Sequence, residues 1–356
     1  MNITDILKEA VNNGTSDIFI VAGLPLTYKI HGRQLRMENE GRLLPDGTRD
    51  LIHELYQVAG RDVSRIAPES ADDDFSLALG GIGRFRVNVF HQRNSLAAVI
   101  RVIRFGIPDY KVMGIPEEVM RLTRLHQGIV LVTGQAGSGK STTLACIIDA
   151  INQSRTGHIL TLEDPIEYVH RHSQCIVSQR EIYSDCDSYL SALRSALRES
   201  PDVILLGEMR DYETIDVAMK AAETGQLLFS TLHTTGAANT VDRIIDTFPA
   251  AQQAQIRLQL SMVLQAVISQ QLVPDVNGKM IPAFEIMFMN TAIRNLIRES
   301  KTHQIDAAIQ AGASEGMCTM DSSLLKLYAQ KKITKDTLLT YCLNYEATSR
   351  RLKALG

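Results

Sequence analysis

A phosphate-binding loop is the clearest chemical signal in this sequence. Its glycines let consecutive backbone N–H groups turn toward a phosphate chain, and a following helix adds its positive N-terminal end. Lys140 is expected to reach the β- and γ-phosphates, and the Ser141 hydroxyl to ligate Mg²⁺. The residues expected to bind nucleotide are Gly134, Gln135, Ala136, Gly137, Ser138, Gly139, Lys140, Ser141 and Thr142.

The elements predicted on either side of this loop agree with its sequence motif. Residues 134–141 match the pattern G-x-x-x-x-G-K-[ST], and they lie between a predicted strand, Ile129–Thr133, and a helix predicted over residues 141–151. A glycine-rich turn without a ligand needs neither neighbour. Since the sequence has no N-K-x-D element for guanine recognition, we expect ATP with Mg²⁺ to bind here.

Acidic residues follow two further apolar runs. Ile159–Leu162 is followed by Glu163, and Val203–Leu206 is followed, after a glycine, by Glu208. In an open α/β sheet the ligand lies outside the carboxyl ends of the strands, so both carboxylates should face the nucleotide. We predict that Glu163 polarises the attacking water, and that Glu208 lies in the outer shell of the metal or shares the role of base. The two roles could be exchanged.

A histidine follows a third apolar run. Leu227–Thr231 is followed closely by His233, which places the imidazole at the same sheet edge. A lone histidine is more often structural than functional, but a neutral ring at this edge can sense the γ-phosphate. His233 is therefore a candidate catalytic residue.

Several arginines are candidates for a transition-state contact. An arginine that neutralises the transferred phosphoryl group often comes from a second subunit. Alternation places Arg84 and Arg86 on one face of a predicted strand, opposite Phe85. The candidates are Arg84, Arg86, Arg101, Arg194 and Arg198; for any single one, an ordinary surface arginine is the simpler interpretation.

Two domains are expected from the length of 356 residues. Residues 1–104 combine helical and alternating strand patterns and predict a small α+β domain, and residues 105–116 have the broken periodicity of a linker. Residues 117–356 predict an α/β core, because short apolar runs alternate with helices, as buried parallel strands require. From Ala250 onward the pattern predicts helices apart from one strand, Ile281–Met289, and the region from about 290 to 356 predicts four or five helices.

Composition argues against several other classes. The net charge of −3 and the absence of a basic excess speak against a nucleic-acid partner. No apolar run approaches the roughly 20 residues that cross a bilayer, so a cytoplasmic location is expected. The five cysteines are scattered and form no C-x-x-C pair, so neither a zinc site nor a disulfide framework is predicted.

With these motifs in place, the chain resembles the secretion ATPase superfamily, and within it the type IV pilus retraction motors. The resemblance covers nearly the whole chain. It is carried by the P-loop, by an aspartate box, a Walker B region, a histidine box, and the segment A-I-R-N-L-I-R-E that is similar to a signature of retraction motors. These four further segments are Thr161–His170, Ala192–Asp211, Gly225–Pro249 and Ala292–Glu299.

The resemblance implies a hexameric motor that hydrolyses ATP to power pilus retraction. It further implies a RecA-like core, a PAS-like N-terminal domain packed on the next subunit, and Arg84 and Arg101 approaching the nucleotide. The implied location is the cytoplasmic face of the inner membrane, where the motor would act peripherally on the pilus platform protein. A pilus-assembly or type II secretion ATPase is the alternative, although assembly motors usually carry a four-cysteine module that this chain lacks.

Two positions depart from the family pattern. Gln226 stands where the histidine box usually has a first histidine, and Phe19 replaces a common histidine near the N-terminus. The first change brings a two-histidine sensor into question. A RecA-like nucleic-acid translocase, a kinase and a scaffold that binds nucleotide without cleaving it are the remaining alternatives.

Overall fold

The computed structural model describes residues 2–30, 32–37, 41–67, 72–103 and 106–355. Its contacts divide the chain into two compact units, the first formed by residues 1–106 with 167–169 and the second by 107–166 with 170–356. The predicted domain limits stay a prediction. The residues Ile107, Tyr110 and Ile115, from the segment predicted as a linker, pack in the core of the second unit, and Phe105 lies outside the described residues.

The first unit is built on an antiparallel sheet of six strands in the order β3-β2-β1-β6-β5-β4. Its strands are β1 (Asp17–Ile20), β2 (Thr27–Ile30), β3 (Arg33–Arg36), β4 (Asp73–Leu79), β5 (Gly83–Gln92) and β6 (Ser95–Ile103). The helices α1 (Ile3–Asn12) and α2 (Pro45–Val58) contribute buried side chains to the same core. The α+β fold was predicted, but the short exposed strand β3 was not, because its sequence R-Q-L-R has no apolar alternation.

The second unit contains a sheet of seven strands in the order β13-β12-β7-β11-β10-β8-β9, parallel except for β13. The strands are β7 (Gly128–Thr133), β8 (Gly157–Glu163), β9 (Cys175–Glu181), β10 (Val203–Leu206), β11 (Leu227–Leu232), β12 (Leu264–Pro274) and β13 (Met280–Phe288). Every residue of β7, β10 and β11 is buried. The predicted parallel α/β core is therefore confirmed.

The helices of the second unit alternate with the strands of this sheet and continue after its last strand. They are α3 (Glu117–Met120), α4 (Lys140–Ser154), α5 (Tyr189–Ala196), α6 (Tyr212–Glu223), α7 (Ala237–Asp246), α8 (Ala250–Val263), α9 (Thr291–Arg298), α10 (Ile305–Ala311), α11 (Met320–Ala329), α12 (Lys335–Tyr341) and α13 (Tyr345–Leu355). Five of these helices follow residue 290, where four or five were predicted. Among the described residues, none of the helices combines the length and the apolar character needed to cross a membrane.

One predicted segment is wrong. The sequence predicts helix from Ala250 to the turn at Asp275, but Leu264–Pro274 is the strand β12, paired with β7 on one side and β13 on the other. A strand buried on both faces shows no alternation, and a short apolar run of this kind cannot be told from a buried helix by periodicity. This strand borders the phosphate loop, so the error concerns the site itself.

Candidate nucleotide-binding and catalytic site

The P-loop has the predicted strand, loop and helix. The strand β7 ends at Thr133, immediately before the loop, and α4 begins at Lys140. Gly137 and Gly139 have φ values of 76° and 90°, in the left-handed region that glycine enters without strain. The N-terminus of α4 thus opens directly onto the loop, which suits an anion.

Lys140 is buried and lies across the loop. Its Nζ donates to the carbonyl oxygens of Gly134 and Gln135, each at 2.9 Å. The Ser138 hydroxyl is buried and has no hydrogen-bond partner within the described part of the chain. A buried hydroxyl normally has a partner, and a phosphate oxygen would supply one. These features fit a bound nucleotide.

Gln270 lies on β12, a strand that was not predicted, and packs against the P-loop and the first turn of α4. The Thr143 hydroxyl donates to Gln270 Oε1 at 2.7 Å. The Gln270 carbonyl oxygen lies only 2.2 Å from the place where a Cβ on Gly134 would be, so this glycine is required for close approach. Because the segment was predicted as helix, nothing in the sequence pointed to Gln270 as a neighbour of the loop.

A cavity of about 650 Å³ lies beside the P-loop. Gly139, Thr142 and Thr143 line its phosphate side. Apolar residues including Met113 and Ile281 supply most of the remaining wall, together with charged residues such as Lys279 and Lys331. Mostly apolar concave sites with a few polar groups are typical of small-molecule binding. The sequence motif indicates the phosphate side only, because an apolar wall assembled from distant segments has no characteristic spacing in the sequence.

Glu208 and His233 meet at the carboxyl edge of the sheet, as predicted. They follow the neighbouring strands β10 and β11, and His233 Nε2 lies 3.6 Å from Glu208 Oε2. Glu208 also pairs with Arg210, with 2.7 Å between Oε1 and Nη2, and its side chain is only 13% exposed. The hydrogen bond to Glu208 raises the pKa of the Arg210 guanidinium. The carboxylate is thus flanked by two cationic or polar groups.

Glu163 ends the strand β8, next to β10 in the sheet. Its Oε1 accepts hydrogen bonds from the Thr161 hydroxyl at 2.6 Å and from Gln179 Nε2 at 3.2 Å. Tyr189, which sequence analysis missed, lies in the same surroundings. Burial, with further contributions from the carboxylates of Glu208, Asp164 and Glu163, raises the pKa of its phenol. The two predicted carboxylates therefore share one neighbourhood.

A buried carboxylate on β13 fixes the chain just after His233. Glu285 accepts hydrogen bonds from the backbone N–H of Ala237 at 2.6 Å and from that of Met320 at 3.2 Å. It thereby caps the N-termini of both α7 and α11. Burial raises the pKa of this side chain. The segment that carries His233 is therefore tied to the C-terminal helices.

Gln226 does not belong to this edge. It precedes β11, whereas His233 follows it, so the length of this strand of six residues, about 20 Å, separates them. Gln226 Oε1 accepts a hydrogen bond from the Thr224 hydroxyl at 2.8 Å. The presence of Gln226 in place of the usual histidine therefore leaves the sheet edge near Glu208 unchanged within one chain.

The candidate arginines of the N-terminal sheet have defined partners. Arg84 and Arg86 lie opposite the buried Phe85, as predicted. Arg86 pairs with Asp74 at 2.8 Å, and Arg101 Nε donates to Asp17 at 3.1 Å while its side chain remains 69% exposed. Their approach to a nucleotide stays a prediction.

The segment Ala292–Glu299 forms most of the helix α9. Its apolar residues have helical spacing and face the core: Ile293 and Ile297 are fully buried and Leu296 is partly buried. Arg294 donates to the carbonyl oxygens of Ser261 and Met262, and Arg298 Nε donates to the Ser261 hydroxyl at 2.9 Å. Arg294 thus caps the C-terminus of α8, and Arg298 lies at the same helix end, where cations are favourable. Since α8 leads directly into β12, they hold the start of the strand that carries Gln270.

Comparison with known proteins agrees with this geometry. A family model described as "Type II/IV secretion system protein" matches residues 1–337. The chain is 45% identical to the type IV pilus retraction ATPase PilT of Pseudomonas aeruginosa over 94% of this chain and 96% of that protein. It is 42% identical to a twitching motility protein of Neisseria gonorrhoeae, over 98% of this chain and 92% of the relative.

A solved structure shows the same architecture. The crystal structure of the pilus retraction motor PilT with bound ADP superposes with a TM-score of 0.90 at 45% identity, covering 98% of this chain and 99% of that one. Identity and fold therefore agree over both units. This chain belongs to the type II/IV secretion system protein family and is similar over nearly its whole length to PilT-type ATPases.

Proposed function

We propose that this chain hydrolyses ATP to power the retraction of type IV pili. The observation that carries the proposal is the meeting of the P-loop, Glu163, Glu208 and His233 at the carboxyl ends of four adjacent strands, β7, β11, β10 and β8. This arrangement supplies phosphate binding and a base in one place, which ATP hydrolysis needs. The similarity to a retraction ATPase and to a motor structure with bound ADP supports adenine nucleotide as the ligand and mechanical work as the output.

The residues divide between binding and chemistry. The P-loop N–H groups and Lys140 hold the phosphates, and the apolar cavity beside the loop accepts the nucleoside. Ser141 would ligate Mg²⁺ with Glu208 in its outer shell, and the ion would supply charge neutralisation when bound. Such a site needs few protein ligands because the phosphates complete the coordination. Glu163, or Glu208, orients and deprotonates the attacking water.

His233 contacts Glu208 at the same edge, and Glu285 ties the following segment to the C-terminal helices. Loss of the γ-phosphate would change the charge that His233 faces. We infer that His233 and Glu285 together transmit this change to α11. Retraction requires such a route, because chemistry at the sheet edge must alter the position of distant elements.

We infer further that the working form is a homohexameric ring at the cytoplasmic face of the inner membrane, peripheral to it and engaged with a pilus platform protein. Within the ring, Arg84 and Arg101 would reach the nucleotide of the adjacent subunit. Arg101 supports this role because it is largely exposed and oriented by Asp17. No nucleic-acid partner is proposed, given the net charge of −3.

A mixing experiment tests the trans arginine. Subunits with Arg101→Ala lack the arginine but keep the P-loop, and subunits with Lys140→Ala lack the P-loop contact but keep the arginine. Each variant alone is expected to be inactive, because an arginine of this kind has a large effect on the rate. In rings mixed at equal amounts, about one interface in four joins an intact P-loop to an intact Arg101. Mixed rings should therefore regain about a quarter of the wild-type ATPase rate. Arg350→Ala, on the C-terminal helix, is the control. No recovery from a mixture shown to co-assemble would rule out action in trans.

Gene deletion tests the motor function as a whole. Cells lacking the gene are expected to accumulate surface pili and to lose twitching motility, because assembly would continue without retraction. Wild-type gene on a plasmid should restore motility, and the Lys140→Ala gene should not. Loss of pili instead of their accumulation would contradict retraction and favour an assembly motor.

A further inference from the structure

We propose that Gln179 is a positioning residue that orients the Glu163 carboxylate for water attack, an inference that rests on the proposed ATP hydrolysis. Gln179 lies on β9, the edge strand of the core sheet that the sequence did not predict. It has no place among the motifs of the site. Its contacts nevertheless join the predicted base to the segment that follows it.

The register of the sheet brings Gln179 to Glu163. Thr161 of β8 is the direct partner of Gln179 across the parallel pair, so their side chains share a face with Glu163, two residues further along. Gln179 Nε2 donates to Glu163 Oε1 at 3.2 Å, and the Thr161 hydroxyl donates to the same oxygen at 2.6 Å. Two donors therefore converge on one carboxylate oxygen.

This convergence restricts the carboxylate. The terminal torsion of a glutamate is broad, so an unsupported carboxylate samples many orientations. Two hydrogen bonds to Oε1 from rigid strands select one of them. A base must be aligned with its proton to be effective, and small misplacements cost large factors in rate.

The other end of the amide is anchored too. Gln179 Oε1 accepts a hydrogen bond from the backbone N–H of His170 at 2.8 Å. Two residues along the strand, the buried Glu181 accepts one from the backbone N–H of Ile166 at 3.0 Å. Alternate side chains of β9 thus hold both ends of the segment after Glu163. The contacts of Gln179 include one to the backbone and one to the predicted base, and these can be separated experimentally.

Gln179→Glu separates them. The new carboxylate can still accept from the His170 N–H, but it replaces the donor to Glu163 by a second negative charge. We expect kcat for ATP to fall by about ten- to a hundredfold, with the affinity for a non-hydrolysable ATP analogue within about twofold of wild type. Gln174→Glu, the same change just before β9, is the control and should leave kcat unchanged. Normal kcat in Gln179→Glu would overturn the proposal.

Gln179→Met is a second test of the proposal if Gln179→Glu fails to fold. Methionine keeps the length and loses both hydrogen bonds, so we expect the same loss in kcat with a lower melting temperature. A folded Gln179→Met variant with wild-type kcat would equally overturn the proposal.

Combination with Glu163→Gln distinguishes positioning from a general structural role. If Gln179 acts through the Glu163 carboxylate, its replacement in the Glu163→Gln background should change the single-turnover rate by less than about twofold, since residues that act as a unit are non-additive. An undiminished effect in that background would show that Gln179 acts through the fold alone. Wild-type protein without ATPase activity would refute the proposed function, and the role of Gln179 would fall with it.

Discussion

Replacing Lys140 by alanine is expected to abolish ATP turnover and to weaken ATP binding by at least about a hundredfold. The Lys140 ammonium is buried and held over the loop by the carbonyl oxygens of Gly134 and Gln135. It is thus positioned to exchange these carbonyl contacts for the β- and γ-phosphates. Charge-assisted hydrogen bonds to a buried anion are the strong ones, and two of them account for a loss of about 3 to 6 kcal/mol.

A titration with a fluorescent ATP analogue measures the loss of binding, and an assay of phosphate release measures the loss of turnover. Lys220→Ala is the matched control, because Lys220 is 60% exposed and pairs only with Asp216 on the same helix among its described contacts. It should bind and hydrolyse ATP as wild type does. Wild-type affinity in Lys140→Ala would show that nucleotide binds elsewhere and would remove the P-loop from the mechanism.

The sequence predicted the residues whose position depends on local pattern. The P-loop, Glu163, Glu208 and His233 each follow a short apolar run, and parallel strands bring such positions to one edge wherever they lie in the sheet. Their meeting could therefore be predicted before the strand order was known. The helical end of the chain was predictable from local pattern too, since apolar residues such as Ile293 and Ile297 recur at helical spacing.

The supporting residues could not be predicted, because their roles depend on strand neighbours. Gln270 supports the P-loop only because β12 pairs with β7, and its segment was predicted as helix. Gln179 reaches Glu163 only because β9 pairs with β8 in one particular register. A shift of one residue would turn Gln179 to the other face. Register is a property of the folded sheet that spacing along one strand does not contain.

Tyr189 illustrates the same limit for a helix. Its hydroxyl would lie 2.6 Å from a Cβ placed on Gly207, so this glycine allows the tyrosine to pack beside the Walker B strand. It lines a cavity of about 470 Å³ together with Asp164, Glu208 and Arg210. In the sequence, Tyr189 is one aromatic residue at the start of an amphipathic helix, which is usually a packing position.

Replacing Glu208 by glutamine is expected to leave ATP binding intact and to slow turnover by about 10²- to 10⁴-fold, the range for loss of a general base. Glutamine preserves the shape of the side chain and can still accept a hydrogen bond from Arg210, which lies 2.7 Å from Glu208 Oε1. It removes the negative charge that faces both Arg210 and His233. Stability should change little, because glutamine keeps the hydrogen bond from Arg210, and the Arg210 guanidinium is 76% exposed and stays solvated without its charged partner.

The measurement separates binding from chemistry. Glu208→Gln should show wild-type affinity for ATP in an equilibrium titration and a slow single-turnover rate, whereas Lys140→Ala should fail in the titration. Glu346→Gln is the control, since that carboxylate is 86% exposed and pairs with Arg350 on its own helix. A wild-type steady-state rate in Glu208→Gln would leave Glu163 as the sole base. In that case the contact between Glu208 and His233 would serve only to report the state of the nucleotide, and its loss should uncouple hydrolysis from pilus retraction without slowing it.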